Sequence, residues 1–284
     1  MQMTPWPIGI STGCFYHRSI FEVLEPIRDS GFVELEICSY PHHLDYHHEE
    51  LVQKAGDHLQ KLGLRAFSFH APFAPQIDIT SLDSAVRAAS VKELKVACRA
   101  ASLMQARHVV LHPGPESAGR PPPDEFDLRM ANAAQSLNQV ACYCQEIGIH
   151  LLLENMLPHL LFGRVSDMLY LLGEIQHCTV GTCLDTGHAH LSGDLPTVIH
   201  KLSGHLQMLH INDNRADWDA HLVPGQGTID WTALIRDLQT HHFQGGLILE
   251  LSGRSGEPVS EALDRAHQGR EFLVHAMKEW RDQI

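Results

Sequence analysis

At 284 residues and 44% hydrophobic content the chain is long enough to bury one large core or two small ones. A net charge of -13, with histidine counted neutral, disfavours a broad grip on nucleic acid or an anionic membrane and leaves small molecules as the expected partners. No basic-then-apolar leader opens the sequence and no apolar run approaches the roughly 18 residues of a membrane span, so a soluble, cytoplasmic protein is expected.

In chain order, Pro7 to Ser11 reads as a short strand and Ser19 to Ser30 as an amphipathic helix that Pro26 should kink or shorten. Phe32 to Cys38 is a second strand, followed by a helix over Glu49 to Leu62 closed by Gly63. The β-then-α rhythm continues with strand Leu64 to His70, helix Ser84 to Met104, strand His108 to His112, a Pro/Gly-rich loop to Pro123, and helix Glu125 to Ile147. Strand His150 to Glu154, helix Ser166 to Ile175 and strand Val180 to Asp185 follow, the last expected to give way to a loop. A short helix over Leu195 to Leu202, strand Leu206 to Ile211 and a long loop through Pro224-Gly-Gln-Gly227 lead to helix Trp231 to Thr240, capped by Thr228 or Asp230. Strand Gly246 to Leu251 and helix Ser260 to Trp280 complete eight strands alternating with eight helices.

Short strands apolar on both faces belong to a parallel sheet covered by helices. Eight such units, with no glycine-rich dinucleotide fingerprint after the first strand, predict one closed (β/α)8 barrel spanning residues 1–284. In that architecture the C-terminal ends of the strands converge on one mouth. His70, His112, Glu154, Asp185, His210 and Glu250 all fall there, where packing alone would place branched apolar side chains, and they read as a metal site. Loops add His188, three residues beyond Asp185, and the alternating pair Asp219 and His221; each taken singly reads equally as a turn residue. The period-2 pattern leaves open whether Glu36 on the second strand points into the mouth or outward.

Other residue classes have plainer readings. The seven cysteines, Cys14, Cys38, Cys98, Cys142, Cys144, Cys178 and Cys183, are odd in number and scattered, which suits reduced thiols, with Cys142 and Cys144 as helix packing residues. Histidine is the compositional outlier at 22 copies, and the pairs His42-His43, His47-His48 and His241-His242 are read as solvated. Phe15, Phe73, Met156 and Trp218 follow strand ends and either wall a pocket or pack loops.

Seven segments together resemble the xylose isomerase-like barrel superfamily, which holds sugar phosphate isomerases and epimerases and the apurinic endonuclease IV group. They are Phe69-His-Ala-Pro-Phe73, Val110-Leu-His-Pro-Gly114, Leu153-Glu-Asn155, Leu184-Asp-Thr-Gly-His188, Leu209-His-Ile-Asn-Asp213, Pro224-Gly-Gln-Gly-Thr-Ile-Asp-Trp231 and Leu249-Glu250. The resemblance to the isomerase branch implies one divalent metal (zinc, manganese, cobalt or magnesium) on Glu154, Asp185, His210 and Glu250, with the two glutamates also moving protons through an enediolate of a small sugar, keto-sugar or sugar phosphate. His188 is then a catalytic-site contact to a substrate hydroxyl, and His70, Phe73, Arg215 and Trp218 are expected substrate contacts. The resemblance to the endonuclease branch implies up to three zinc ions on His70, His112, Glu154, Asp185, His188, His210, Asp219, His221 and Glu250, hydrolysing a phosphoester. Against a DNA substrate, the mouth loops Ser39 to His48 and Ala71 to Ser84 contain no Lys or Arg; Arg18, Arg120, Arg164, Arg215 and Arg254 are the basic residues placed near the mouth. A third reading keeps the metal for structure or ligand sensing.

Overall fold

The computed structural model describes residues 6–116, 119–176 and 180–281. Eight parallel strands close into a barrel in sequence order: β1 (Ile8–Ser11), β2 (Glu34–Cys38), β3 (Arg65–His70), β4 (His108–Leu111), β5 (His150–Glu154), β6 (Val180–Asp185), β7 (Leu206–Ile211) and β8 (Gly246–Leu249), with β8 pairing back onto β1. Around them lie α1 (Ile20–Asp29), α2 (Glu49–Leu62), α3 (Ser84–Leu103), α4 (Pro123–Glu146), α5 (Val165–Glu174), α6 (Thr186–Leu191), α7 (Leu195–Leu202), α8 (Trp231–Thr240) and α9 (Val259–Arg281). The closed (β/α)8 barrel expected from the alternation of short apolar strands with helices is what the chain adopts.

The helices follow their amphipathic stripes. α1 buries Ile20, Val23, Leu24 and Ile27, a spacing that keeps one face on the barrel, and it runs through Pro26 without ending there. α2 stops at Gly63, whose φ of 70° is a left-handed conformation that glycine adopts without a Cβ clash. Asp230, not Thr228, caps α8, its side chain accepting the Ala233 N–H at 2.9 Å.

Inside the barrel, Val110, Leu152, Cys183, Met208 and Ile248 form a separate fully buried cluster with Phe67. Each of those five lies two residues before a candidate ligand: His112, Glu154, Asp185, His210 and Glu250. Because strand side chains alternate with period two, the apolar layer and the polar layer share one inward face, and the plug below leaves the mouth as the open end.

Three expectations need correction, and one open alternative is decided. Asp185 gives way to a helix, α6, so the described residues hold nine α-helices where eight were expected. His43 is buried, not solvated, because its Nδ1 lies 2.7 Å from the Arg18 carbonyl and its ring is enclosed by the first two mouth loops. Cys142 is exposed on α4 while Cys144, two residues on, is buried, so of the two only Cys144 is a core packing residue. Phe15 and Met156 are core residues and belong to loop packing. The described cysteines are all free thiols; Cys178 lies outside the described residues.

Candidate metal centre

Glu154, Asp185, His210 and Glu250 offer one ligand atom each within 4.8 Å of one another. Sheet register brings them together: Asp185 pairs with His210 across β6 and β7, and Glu154 pairs with Cys183 across β5 and β6. His210 Nδ1 lies 3.0 Å from Glu154 Oε1 and 3.3 Å from Glu250 Oε2. Its other nitrogen, Nε2, lies 2.9 Å from Glu36 Oε2. Glu36 is fully buried, points inward and is held by the Ser68 hydroxyl at 2.9 Å. Burial alone would raise its pKa, but the imidazole of His210 lowers it below the usual carboxylate value.

Asp185 is fixed from three sides. Its Oδ2 accepts from Asn212 Nδ2 at 2.6 Å, its Oδ1 accepts the His188 N–H at 2.6 Å as the cap of α6, and Asn155 bonds both its backbone N–H (2.8 Å) and its carbonyl (3.1 Å). The helix that replaces the expected loop therefore places His188 by capping. Gly187 is required here, since a Cβ would fall 2.1 Å from Asn212 Oδ1. One residue further on, Asp213 accepts from Gly225 N, Ile229 N and Trp231 Nε1, so the Pro224–Gly227 turn is packed against the site's support and not aimed at a ligand.

Two further groups flank this one. His70 Nε2 and His112 Nε2 both approach Glu154 Oε2, at 3.2 and 3.1 Å. His188 Nε2 and His221 Nε2 both approach Asp219 Oδ2, at 3.3 and 3.1 Å. All nine candidate ligands thus fall in groups of three or four, of which His188, Asp219 and His221 form one that shares no member with the rest. His221 has a φ of 43°, a strained left-handed backbone for a residue with a Cβ.

The ring nitrogens show whether this set fits a cation. His70, His188 and His221 each bring Nδ1 to a backbone carbonyl, those of Ala71, Asn155 and Glu250, at 2.8, 2.8 and 2.9 Å. A carbonyl only accepts, so Nδ1 carries a proton, and Nε2 is the nitrogen turned toward the shared carboxylates, donating to them until a cation replaces its proton. His210 is the mirror case, with Nε2 on Glu36 and Nδ1 inward; His112 has Nδ1 2.7 Å from Glu116 Oε1 and Nε2 inward. An outer acceptor on one nitrogen and a free pair on the other is how a metal-ligating histidine is held, and the mixed N/O donor set suits zinc, manganese or cobalt.

Charge at the mouth is concentrated. Burial by itself would depress His112 and His188, but the Glu154 and Asp185 carboxylates, with Glu116 and Asp219 behind them, push both up to about 10. His221 likewise rises to about 10, burial being outweighed by Asp219 and Glu250. The two glutamates diverge. Burial would raise Glu154, yet His210 and His112 hold it well below the carboxylate range; Glu250 stays raised, because burial wins over His210 and His221. Glu154 is sealed, with 1% of its side chain exposed, whereas 21% of the Glu250 side chain faces the mouth.

Phe73 stands at the rim, its ring centroid 5.4 Å from that of His70 and stacked 5.0 Å from that of His112. Trp218 and Arg215 are exposed on the loop after β7, outside the close groups. Arg120 is engaged by Asp167 at 2.7 Å and lies over Phe126, and Arg18 donates to the Glu257 carbonyl. Glu36, Asn155, Asn212 and Asp213 are the structural partners that sequence reasoning did not assign. The Glu-Asn and Ile-Asn-Asp endings of β5 and β7 were the available signal for the last three.

The family described as xylose isomerase-like TIM barrel matches residues 23–275. An uncharacterized protein of Methanocaldococcus jannaschii is 25% identical, covering 85% of this chain and 82% of its own. Fructoselysine 3-epimerase of Escherichia coli O157:H7 is 24% identical over 60% of this chain and 61% of that enzyme. A probable endonuclease 4 of Mycobacterium leprae is 29% identical over 58% of this chain and 66% of its own. Among solved structures, a D-tagatose 3-epimerase-like protein superposes with a TM-score of 0.84 at 21% identity, covering 98% of this chain and 99% of its own. D-psicose 3-epimerase crystallised with D-fructose gives 0.81 at 15% identity, covering 95% and 99%. At these identities the structural likeness speaks to the fold.

Proposed function

The chain belongs to the xylose isomerase-like TIM barrel family, and from that premise we propose that it is a divalent-metal-dependent isomerase or epimerase of a small keto-sugar. The observation that carries this reading is the pair of glutamates on either side of His210 Nδ1, one sealed and one open to the mouth. Glu154, Asp185, His210 and Glu250 would hold the cation. When bound there, a divalent ion stabilises negative charge on a carbonyl oxygen and so acidifies the neighbouring C–H. Glu250, raised in pKa and accessible, and Glu154, ionised and oriented by His210, are the two proton carriers on opposite sides of the substrate carbon. His188, fixed by its N–H on Asp185 and its Nδ1 on Asn155, presents Nε2 to a substrate hydroxyl. Phe73 closes one side of the site against water.

A small uncharged substrate fits a rim whose first two long loops carry no Lys or Arg. The fructoselysine 3-epimerase relative supports the same chemistry. A second reading, zinc-dependent phosphoester hydrolysis of the endonuclease IV type, is favoured by one feature, the sharing of Glu154 Oε2 between His70 and His112 as in a bridging carboxylate. Elemental analysis of protein purified without added metal separates the two. About one exchangeable divalent ion per chain, with turnover on a ketose panel, supports the isomerase; two or three zinc ions, with hydrolysis of a phosphodiester and no ketose turnover, replaces it.

A further inference from the structure

Away from the mouth, the outer helices α3 and α4 meet through a pair of cysteines. Cys98 on α3 and Cys144 on α4 are both fully buried, and their sulfurs lie 3.4 Å apart. No other pair of described cysteines makes such a contact: Cys14, Cys38 and Cys183 are buried elsewhere, and Cys142 is exposed. One turn before Cys98, Lys95 Nζ lies 5.6 Å over the ring of Tyr143, the neighbour of Cys144, so the two helices touch twice at this level. Toward the mouth, α4 holds the segment that leads into α3: the Ser136 hydroxyl donates to the Ile79 carbonyl and the Asn132 amide to the Ser81 carbonyl, both at 3.0 Å. The two sulfurs are therefore held together by helices that are tied to each other along their length.

A buried cysteine often does no more than fill space. The buried positions beside this pair are filled by alanine, with Ala97, Ala100 and Ala101 on α3 and Ala141 on α4, so small side chains already serve that purpose. Two thiols in contact bring a chemistry that alanine lacks. A disulfide bond is about 2.0 Å long, so closing this one draws the sulfurs together by about 1.4 Å, within reach of small rotations of two side chains. At rest the pair is protonated: the Cys144 contact first, and burial second, hold the Cys98 thiol well above its ordinary value. A sealed and protonated pair resists bulky disulfides and reacts slowly with an oxidant as small as peroxide.

We propose that Cys98 and Cys144 are an oxidation site, which peroxide closes into a disulfide that staples α3 to α4. One sulfur attacks a peroxide oxygen; the O–O bond breaks, leaving a sulfenic acid and one water. The second sulfur then attacks the first, the S–O bond breaks, and the hydroxyl leaves with the remaining thiol proton as a second water. Two electrons pass from the sulfurs to the peroxide, and both thiol protons end in water. The link joins positions 46 residues apart, so it removes a large loop's freedom from the unfolded chain and stabilises the folded one. The metal centre takes no part, and the proposal stands or falls independently of the keto-sugar reading.

The test incubates the full chain with excess hydrogen peroxide, alkylates the remaining thiols in denaturant, and identifies the products by mass spectrometry after digestion without reductant. Oxidation of the exposed Cys142 in the same sample shows that the peroxide acted. The expected result is a linked Cys98–Cys144 peptide pair, formed more slowly than Cys142 oxidises, with the melting temperature raised by about 5–10 °C. Cys98→Ala and Cys144→Ala, which keep the small apolar side chain of the neighbouring positions, should show no rise after peroxide. Cys142→Ser, at an exposed position that leaves the pair intact, should keep both the link and the rise. Oxidised Cys142 beside fully alkylated Cys98 and Cys144 would overturn the proposal. So would a sulfinic acid at either sulfur in place of the link, linkage to a different cysteine, or a linked pair without a higher melting temperature.

Discussion

The two ends of the barrel treat histidine in opposite ways. At the C-terminal mouth five imidazoles face carboxylates, and three of them, His112, His188 and His221, are pushed up to about 10 against the effect of their own burial. At the N-terminal end His108 opens β4, packs edge-on against His150 at 5.7 Å and against Phe67 at 5.2 Å, and has Arg107 nearby. Burial, His150 and Arg107 all act in one direction there and bring it down to about 3. Burial acts to lower the pKa in both sets, so burial does not make the difference. The carboxylates do: they allow a cluster of imidazoles to be charged, or to be neutral and coordinating once a cation replaces their protons.

Removing a carboxylate at the mouth should have the largest effect. Glu154→Gln and Glu250→Gln should each reduce turnover by about 1000-fold or more while circular dichroism and thermal unfolding remain those of a folded barrel. An active Gln variant would remove that residue from proton transfer. Proton displacement is the next effect in size. Because the mouth imidazoles hold protons at neutral pH, metal affinity should rise by about 10-fold per pH unit for each proton released, and a titration in two buffers of different ionisation heat would count those protons. Affinity independent of pH between 6 and 8 would mean that the imidazoles are not exchanging protons for metal.

Glu36→Gln leaves the four inner ligands in place and changes only the acceptor behind His210 Nε2. Metal affinity should fall by about 10- to 100-fold, with an altered visible spectrum of the cobalt form as the sign that His210 has reoriented. An unchanged affinity and spectrum would reduce Glu36 to a buried structural acid.

The smallest effect belongs to the opposite end. His108, with its folded pKa depressed below the unfolded value of 6.5, contributes stability above that pH that is lost as pH falls toward about 3. The raised mouth histidines have the reverse sign in metal-free protein: their contribution is complete below pH 6.5 and is lost as pH climbs toward about 10. His108→Leu should therefore flatten acid unfolding between pH 6.5 and 3 without changing metal affinity. Weakened metal binding in that variant would break the separation of the two ends.

The strand-end ligands were legible because two periodicities coincide at them. An apolar run ending in His or Glu marks the boundary, and the residue two before it marks the inward face, as in Leu152 and Glu154 or Met208 and His210. Glu36 escaped that logic because β2 is buried on both faces and carries a register shift between Leu35 and Glu36, which breaks the alternation where it would have been needed. α6 was missed for a different reason: Thr186-Gly-His-Ala-His-Leu191 is six residues long with a glycine in its first turn, too short for a hydrophobic stripe, and it exists because Asp185 caps it. Asn155 and Asn212 act through a backbone clamp and an oriented carboxylate, contacts between elements that only the closed barrel creates. His43 looked solvated beside His42 because nothing in a polar pair of histidines foretells which one a loop will enclose.

The proposed reaction exchanges a carbon-bound proton of a keto-sugar through Glu154 and Glu250 at a bound metal. Proton NMR of ketoses incubated in heavy water with metal-loaded protein tests it directly. The predicted result is deuterium at a carbon next to the carbonyl, with the epimer or isomer appearing at a matching rate and no incorporation by Glu250→Gln. Ketoses left fully protonated by protein that hydrolyses a phosphodiester under the same conditions would contradict it.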